Sequence, residues 1–406
     1  MNFQPSLSQP GRAASVRFTG VNGDFRRLVT RGAMLGLVTF GFYRFWLTTD
    51  IRRHLWANTE VDGDALEYTG RGKELFLGFL IALAILAPLF LGYFLIGIAF
   101  EREKTFASLP LYAALYLFGQ FAVYRARRYR LTRTVWRGVR FWMTGSGWSY
   151  AWRALLWQVL VVVTLGIAYP WQMAALERYK LGHTFYGRMP GRFEATGGQL
   201  FARVWWVCLL GLLPFALLLF GSAQSIMDAA PQAPLPPPGR LASLFGVLGL
   251  LALPFLHAMR KATEWRWWVG GIRFRDVSVT CNLPRGGLIG VYWKLIGVSL
   301  LMWLVVSIVG GLIGGAVFVS LGPTASAALT SHPPAWAFAA IGAFYLATAL
   351  AFGVVFRIYT VQRIWQRVVN RCALQNAEAA IGVAGAGAAA SAIGEGLADG
   401  LDFAGF

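Results

Sequence analysis

Leu75 to Phe100 reads LFLGFLIALAILAPLFLGYFLIGIAF, a run without one Asp, Glu, Lys or Arg. A helix needs about 20 apolar residues to cross the hydrocarbon core of a bilayer, so this stretch is long enough by itself to place the chain in a membrane. Five more runs meet the same test: Phe106–Tyr124, Val204–Ser222, Leu241–Met259, Leu295–Leu321 and Ala335–Phe356. The composition agrees, with 57% hydrophobic and 14% charged residues over 406 positions. A soluble domain carries about 25% charge. The charge present is lopsided, 37 Lys and Arg against 18 Asp and Glu, a formal +19. A nucleic-acid-binding protein with that charge would not be half apolar. Three cysteines, Cys208, Cys281 and Cys372, lie too far apart in sequence for a disulfide framework or a zinc site.

Two further apolar runs are harder to place. Ala33–Trp46 is short, follows Arg31 and holds Arg44; Ala154–Ala175 carries Gly166 and Pro170 near its end, which favour a break. Charge on the connections decides between readings. Glu101–Thr105, Ala223–Arg240 and Gly322–Pro334 hold only Arg102, Lys104 and Arg240 as strong bases, whereas the other connections are dense in Lys and Arg. Basic residues of short loops stay cytoplasmic. If both doubtful runs crossed, strongly basic segments would be exported. If both dip in and return, or lie in the interface, the conflict vanishes. The expected fold is therefore an all-α integral membrane protein. Six spanning helices form three hairpins, with two embedded or interfacial helices, short cytoplasmic β-like stretches and both termini inside. Residues 1–15 read as a disordered arm without a signal-peptide pattern.

Internal repetition orders the rest. Val16-Arg17-Phe18-Thr19-Gly20 returns as Val139-Arg140-Phe141 with Thr144-Gly145, and again as Ile272-Arg273-Phe274. Thr39-Phe40-Gly41 leads to Trp46 as Thr164-Leu165-Gly166 leads to Trp171, and Arg53 and Thr59 keep the spacing of Arg178 and Thr184. Glu67-Tyr68-Thr69-Gly70 then matches Glu194-Ala195-Thr196-Gly197. These matches divide the chain into units at 16–138, 139–271 and a degraded 272–376, followed by an Ala- and Gly-rich tail, 377–406, expected to be flexible.

The same motifs carry a family resemblance. Phe18-Thr19-Gly20, Thr39-x-Gly41-x-Tyr43-x-x-Trp46, Arg52-Arg53, Asn58-Thr59, Asp62-Gly63 and Glu67-Tyr68-Thr69-Gly70 resemble the bacterial YjgN-type inner-membrane protein family. So do Trp136-Arg137-Gly138-Val139-Arg140-Phe141 and the acidic tail Gly394–Asp399 with Asp402-Phe403. That family is of uncharacterised function, so the resemblance implies location and architecture and supplies no catalytic residues. The second unit departs from it at Gly182-His183-Thr184, and the third departs most.

Candidate chemistry is sparse. His54, His183, His257 and His332 are scattered with no metal-ligand spacing, and no phosphate-cradling or nucleophile motif is present. No catalytic residue, metal or cofactor is implied, and the chain reads as no enzyme. Two segments interleave arginine with aromatics, giving Arg127, Arg128, Arg130 and Trp136 in one and Arg260, Lys261, Trp265 and Arg266 in the other. Beside a membrane this pattern fits an interface belt meeting anionic lipid better than single-stranded nucleic acid. A second polar cluster gathers Asp50, Arg53 and His54 from one unit with Glu177, Arg178 and His183 from the other. A solvated interfacial helix would also explain it. Paired Gly310-Gly311 and Gly314-Gly315 allow close helix packing. The expected role is a lipid-interacting or scaffolding membrane protein, with anionic lipids as partners, no nucleic acid, and oligomeric state open. The alternatives are a transporter or channel for a small solute, and an embedded enzyme acting at headgroup depth.

Overall fold

The computed structural model describes residues 13–99, 104–227, 238–331 and 335–387. Its organising element is a sheet. Eleven strands run in the order β3-β2-β1-β11-β10-β9-β8-β7-β6-β5-β4, every pairing antiparallel. The strands are β1 (Ala14–Phe18), β2 (Thr59–Val61), β3 (Asp64–Ala65), β4 (Glu67–Tyr68), β5 (Thr134–Trp136), β6 (Val139–Met143), β7 (Thr184–Tyr186), β8 (Met189–Phe193), β9 (Ile272–Phe274), β10 (Val277–Cys281) and β11 (Cys372–Gln375). The two edges, β3 and β4, are successive halves of one run interrupted at Leu66. One half pairs back with β2 and the other forward with β5, so the sheet closes into a barrel. Strands of two to five residues cannot stand alone, and closure removes the unpaired edges they would otherwise expose. The short β-like stretches foreseen from sequence are thus one closed structure, and the chain is not all-α.

Five helical hairpins leave the barrel and return to the adjacent strand. They are α1 (Asn22–Val38) with α2 (Arg44–Ala57); α3 (Gly72–Ala99) with α4 (Lys104–Thr132); α5 (Gly147–Val163) with α6 (Tyr169–Gly182); α7 (Gly197–Met227) with α8 (Pro238–Leu250) and α9 (Leu253–Gly270); and α10 (Ile289–Ser331) with α11 (Ala335–Phe356). The last passes through a π-helical turn, Arg357–Arg363, into α12 (Ile364–Val369). Tight turns such as Asp62-Gly63 and Arg137-Gly138, all four residues at positive φ, join neighbouring strands at the opposite rim. Such turns match the twist of short antiparallel pairs. Each of these hairpins therefore starts and ends on one side of the barrel.

The two doubtful apolar runs are both bent back on themselves. α1 and α2 meet at Phe40-Gly41 (φ +50°, +86°), and α5 and α6 at Leu165-Gly166 (φ +49°, +92°). The hydrogen bonds repeat as well. Thr39 Oγ1 donates to Leu35 O at 2.7 Å and accepts from Tyr43 N at 3.0 Å; Thr164 Oγ1 donates to Leu160 O at 2.7 Å and accepts from Ala168 N at 3.1 Å. A left-handed glycine after the last turn satisfies the carbonyls that would otherwise end the helix unpaired. Both tips present bare apolar side chains, Phe40 at 91% and Leu165 at 92% exposure. In each unit the following long helix starts with a glycine pressed on the Trp backbone, Gly72 on Trp46 and Gly197 on Trp171.

Among the described residues four helices are long and apolar enough to cross a membrane: Gly72–Leu95, Gly197–Gln224, Ile289–Ala316 and Phe338–Val369. The α8–α9 pair, bent by 47°, makes a fifth if counted as one span. That bend, beside Leu253-Pro254 at the start of α9, interrupts the run expected as continuous over Leu241–Met259. Phe106–Tyr124 is helical inside α4 and does not join that set. The outer faces of these helices bear Leu77, Leu212 and Leu301, each about three-fifths exposed. Of the expected flexible tail, Ala377–Ala380 forms a 3-10 turn whose end residues are buried, with Ala380 and Val383 packed on the barrel interior. The acidic tail and residues 1–12 lie outside the described residues.

Candidate site: a cationic cleft over an apolar barrel

The arginine- and tryptophan-rich segments that are far apart in sequence meet at the helix-bearing rim of the barrel. α4, α6 and α9 converge around a cleft of about 330 Å³ lined by Arg127 and Arg130 from α4, Glu177 and Lys180 from α6, and Lys261, Glu264, Trp265 and Trp268 from α9, with Val123 and Met173. Glu177 and Glu264 are 8% and 6% exposed, and a carboxylate buried that far must be paired. Glu177 receives Arg127 at 3.0 Å and also Lys180; Glu264 receives Lys261 at 3.0 Å and also Arg260. Burial alone would raise the Glu177 carboxyl, but Lys180 and then Arg127 hold it down at about 2. Burial pulls the Lys180 ammonium below its ordinary value, Glu177 opposing. The Trp268 side chain also favours the charged Glu177 carboxylate, and the Arg127 guanidinium lies 5.9 Å from the Trp268 ring centre.

Beneath the cleft is the barrel lumen, a cavity of about 390 Å³. Its upper wall is made by Trp56, Leu131, Trp268 and Trp365 at the helix ends, its sides by alternate strand residues such as Phe141, Met189 and Val277, and its floor by Ala380. Trp56 and Trp365 stack at 5.2 Å, and their indole nitrogens donate to Thr134 and Thr59 at 3.0 Å. Trp268 lines both spaces.

The structure sorts the residues singled out from sequence. Arg127, Arg130, Lys261 and Trp265 line the cleft and Arg260 pairs beside it. Arg128 on α4 and Arg266 on α9 are half-buried and lie outside that lining. Trp136 is no surface belt residue: at 5% exposure it faces the lumen, because the β5 turn places it on the inner face. The polar cluster splits. Glu177 belongs to the cleft, but Arg178 is exposed and His183 binds Tyr179 O at 2.7 Å. Asp50 reaches Arg53 at only 3.9 Å while Arg53 donates to Gly70 O, and His54 packs on Phe25 with burial lowering its pKa. At the repeat position of Glu177 stands Arg52, which is buried and donates to the Tyr68 hydroxyl, so equivalent backbones carry opposite buried charges. Glu264 went unnoticed in the sequence, although its spacing to Arg260 and Lys261 is that of helical ion pairs. The lumen also went unnoticed, its only signal being the Asp-Gly and Arg-Gly turns. No group of three metal-binding side chains occurs among the described residues.

A closed antiparallel barrel carrying apolar helical hairpins, with a charged and aromatic cleft where they join, defines a polytopic membrane protein. The chain belongs to the bacterial family of unknown function DUF898, whose model matches residues 13–400. It is similar to the inner membrane protein YjgN of Salmonella typhimurium, 25% identical over 189 residues, covering 44% of this chain and 42% of that one. YjgN of Escherichia coli O157:H7 is 23% identical over 152 residues, 37% of this chain and 36% of that protein. The matched stretches thus span under half the length of these relatives. No solved structure matches the chain.

Proposed function

We propose that this is an inner-membrane protein that binds anionic lipid headgroups in the cleft between α4, α6 and α9. The observation that carries this reading is the charge balance of the lining, four cationic side chains against two carboxylates, beside two tryptophans. Each excess cation near an anionic leaflet contributes about 1 kcal/mol, and Trp residues settle at headgroup depth. Both carboxylates are neutralised by ion pairs, which favours binding over catalysis. This reading takes six crossings, α3 with α4, α7 with α8–α9 and α10 with α11, of which four, or five with the bent α8–α9 pair, are long and apolar enough among the described residues. The α1–α2 and α5–α6 hairpins are then embedded from the barrel side. The basic connections make the barrel side and both termini cytoplasmic. Lipids retained by the protein in native nanodiscs, identified by mass spectrometry, test this. Anionic phospholipid should be enriched over zwitterionic, and the enrichment should disappear in the Arg127→Ala/Lys261→Ala variant. Equal retention of both lipid classes refutes it.

A further inference from the structure

We propose that the barrel lumen binds a single fatty-acyl chain whose anionic head lies in the α4–α6–α9 cleft, an inference that rests on the headgroup reading above. A closed barrel of about eight strands is just filled by its own side chains, and this one is larger. The space left is almost wholly apolar. A cavity of about 150 Å³ accommodates benzene, six carbons. Scaled to the lumen's 390 Å³, that gives room for about fifteen carbons, one chain and not two.

The polar atoms of the lining are otherwise settled: the Trp56 and Trp365 indoles, the Tyr186 hydroxyl and the Thr134 hydroxyl all have partners. The Trp136 indole nitrogen is the one lining side-chain atom buried without a partner among the described residues. That N–H calls for at most one acceptor, and against so apolar a lining an occupant can carry almost nothing else polar. An alkyl chain meets that requirement and a sugar or nucleotide does not.

The head is located by continuity. Trp268 is the wall between lumen and cleft, lining both, with the Arg127 guanidinium 5.9 Å from its ring centre. A carboxylate or phosphate held by Arg127, Arg130 and Lys261 would sit at the entrance to the apolar space. The cleft lies at the helix ends where the barrel meets the apolar helices, so a chain enters from the bilayer without crossing water.

The test uses the full chain in nanodiscs and a fatty acid bearing a diazirine near its methyl end, irradiated and mapped by peptide mass spectrometry. Crosslinks are expected on the strands carrying Phe141, Met189 and Val277. They should fall at least tenfold in Val277→Trp, which adds about seven heavy atoms and takes nearly half of the lumen, while anionic phospholipid retention stays unchanged. Ala380→Leu, at the floor, takes about three carbons of that room, should lower the crosslinks in the same direction and serves if Val277→Trp does not fold. A diazirine phosphatidylglycerol run in parallel should label the strands less than the free fatty acid, since its second chain has no place. Labelling confined to the outer faces of α3, α7 and α10, or strand labelling indifferent to both variants, overturns the inference. Loss of anionic retention in Arg127→Ala/Lys261→Ala without strand labelling in the parent protein leaves the headgroup reading standing and the lumen inference refuted.

Discussion

Replacing Glu177 with Gln separates what holds the cleft together from what the cleft attracts. The carboxylate is nearly buried, with Arg127 at 3.0 Å and Lys180 against it. Its pKa falls from the ordinary 4.5 to about 2, a gap of roughly 2.5 units, or about 3 kcal/mol at 1.36 kcal/mol per unit. Burial of Lys180 works against that gain, so a loss of about 2–3 kcal/mol is expected for Glu177→Gln. Because the folded pKa is depressed, the stabilisation is complete above pH 4.5 and drains away as pH falls from 4.5 toward 2. The variant should therefore be less stable at neutral pH and should lack that part of the acid limb. Yet it leaves the cleft one charge more positive, worth about 1 kcal/mol or roughly fivefold tighter binding of an anionic headgroup. Denaturant unfolding in bicelles across pH, with anionic-vesicle or nanodisc binding on the same preparations, measures both. A variant as stable as the parent, with an unchanged acid limb, would refute the pairing. One that binds anionic lipid more weakly would refute the cleft as a headgroup site.

Further outcomes follow from other parts of the molecule. Gly41→Ala and Gly166→Ala occupy matching left-handed positions in open space; each should cost about 1–2 kcal/mol, and a difference beyond 1 kcal/mol between them in thermal unfolding would show the two hairpins to be inequivalent. Gln362, in the π-helical turn, is fully buried with both amide atoms unpartnered; Gln362→Met should raise stability by about 1–2 kcal/mol, and a loss of stability would mean that the amide is satisfied in the membrane. Cysteines at Arg188 and Ala379, both exposed, should resist a membrane-impermeant maleimide in intact cells, whereas one at Thr324 should react; external labelling at Arg188 would overturn the cytoplasmic barrel.

The sequence by itself determined the solvent of this protein and the repetition of its parts. Runs such as Leu75–Phe100 can only be stable in lipid, and local chemistry is enough to bend Thr39-Phe40-Gly41 and Thr164-Leu165-Gly166 identically. That depends on hydrogen bonds within five residues, so it is legible without the rest of the chain. The resemblance to the YjgN-type family likewise came from local motifs. Closure of the barrel was not legible, because pairs such as Ala14 with Leu374 and Phe193 with Ile272 join residues remote in sequence. A three-residue strand announces neither its partner nor its register. The cleft divides the same way. Arg127, Glu177 and Lys261 were each visible as basic or acidic positions on helices, but which of them face one another depends on where α4, α6 and α9 meet the barrel rim. Trp136 shows the limit most plainly: among the seven arginines of Arg125–Arg140 it reads as an interface residue, and only the closed sheet turns it inward. Composition fixes a residue's preferred medium, while the long-range pairing of strands decides whether that medium is the bilayer or the protein's own interior.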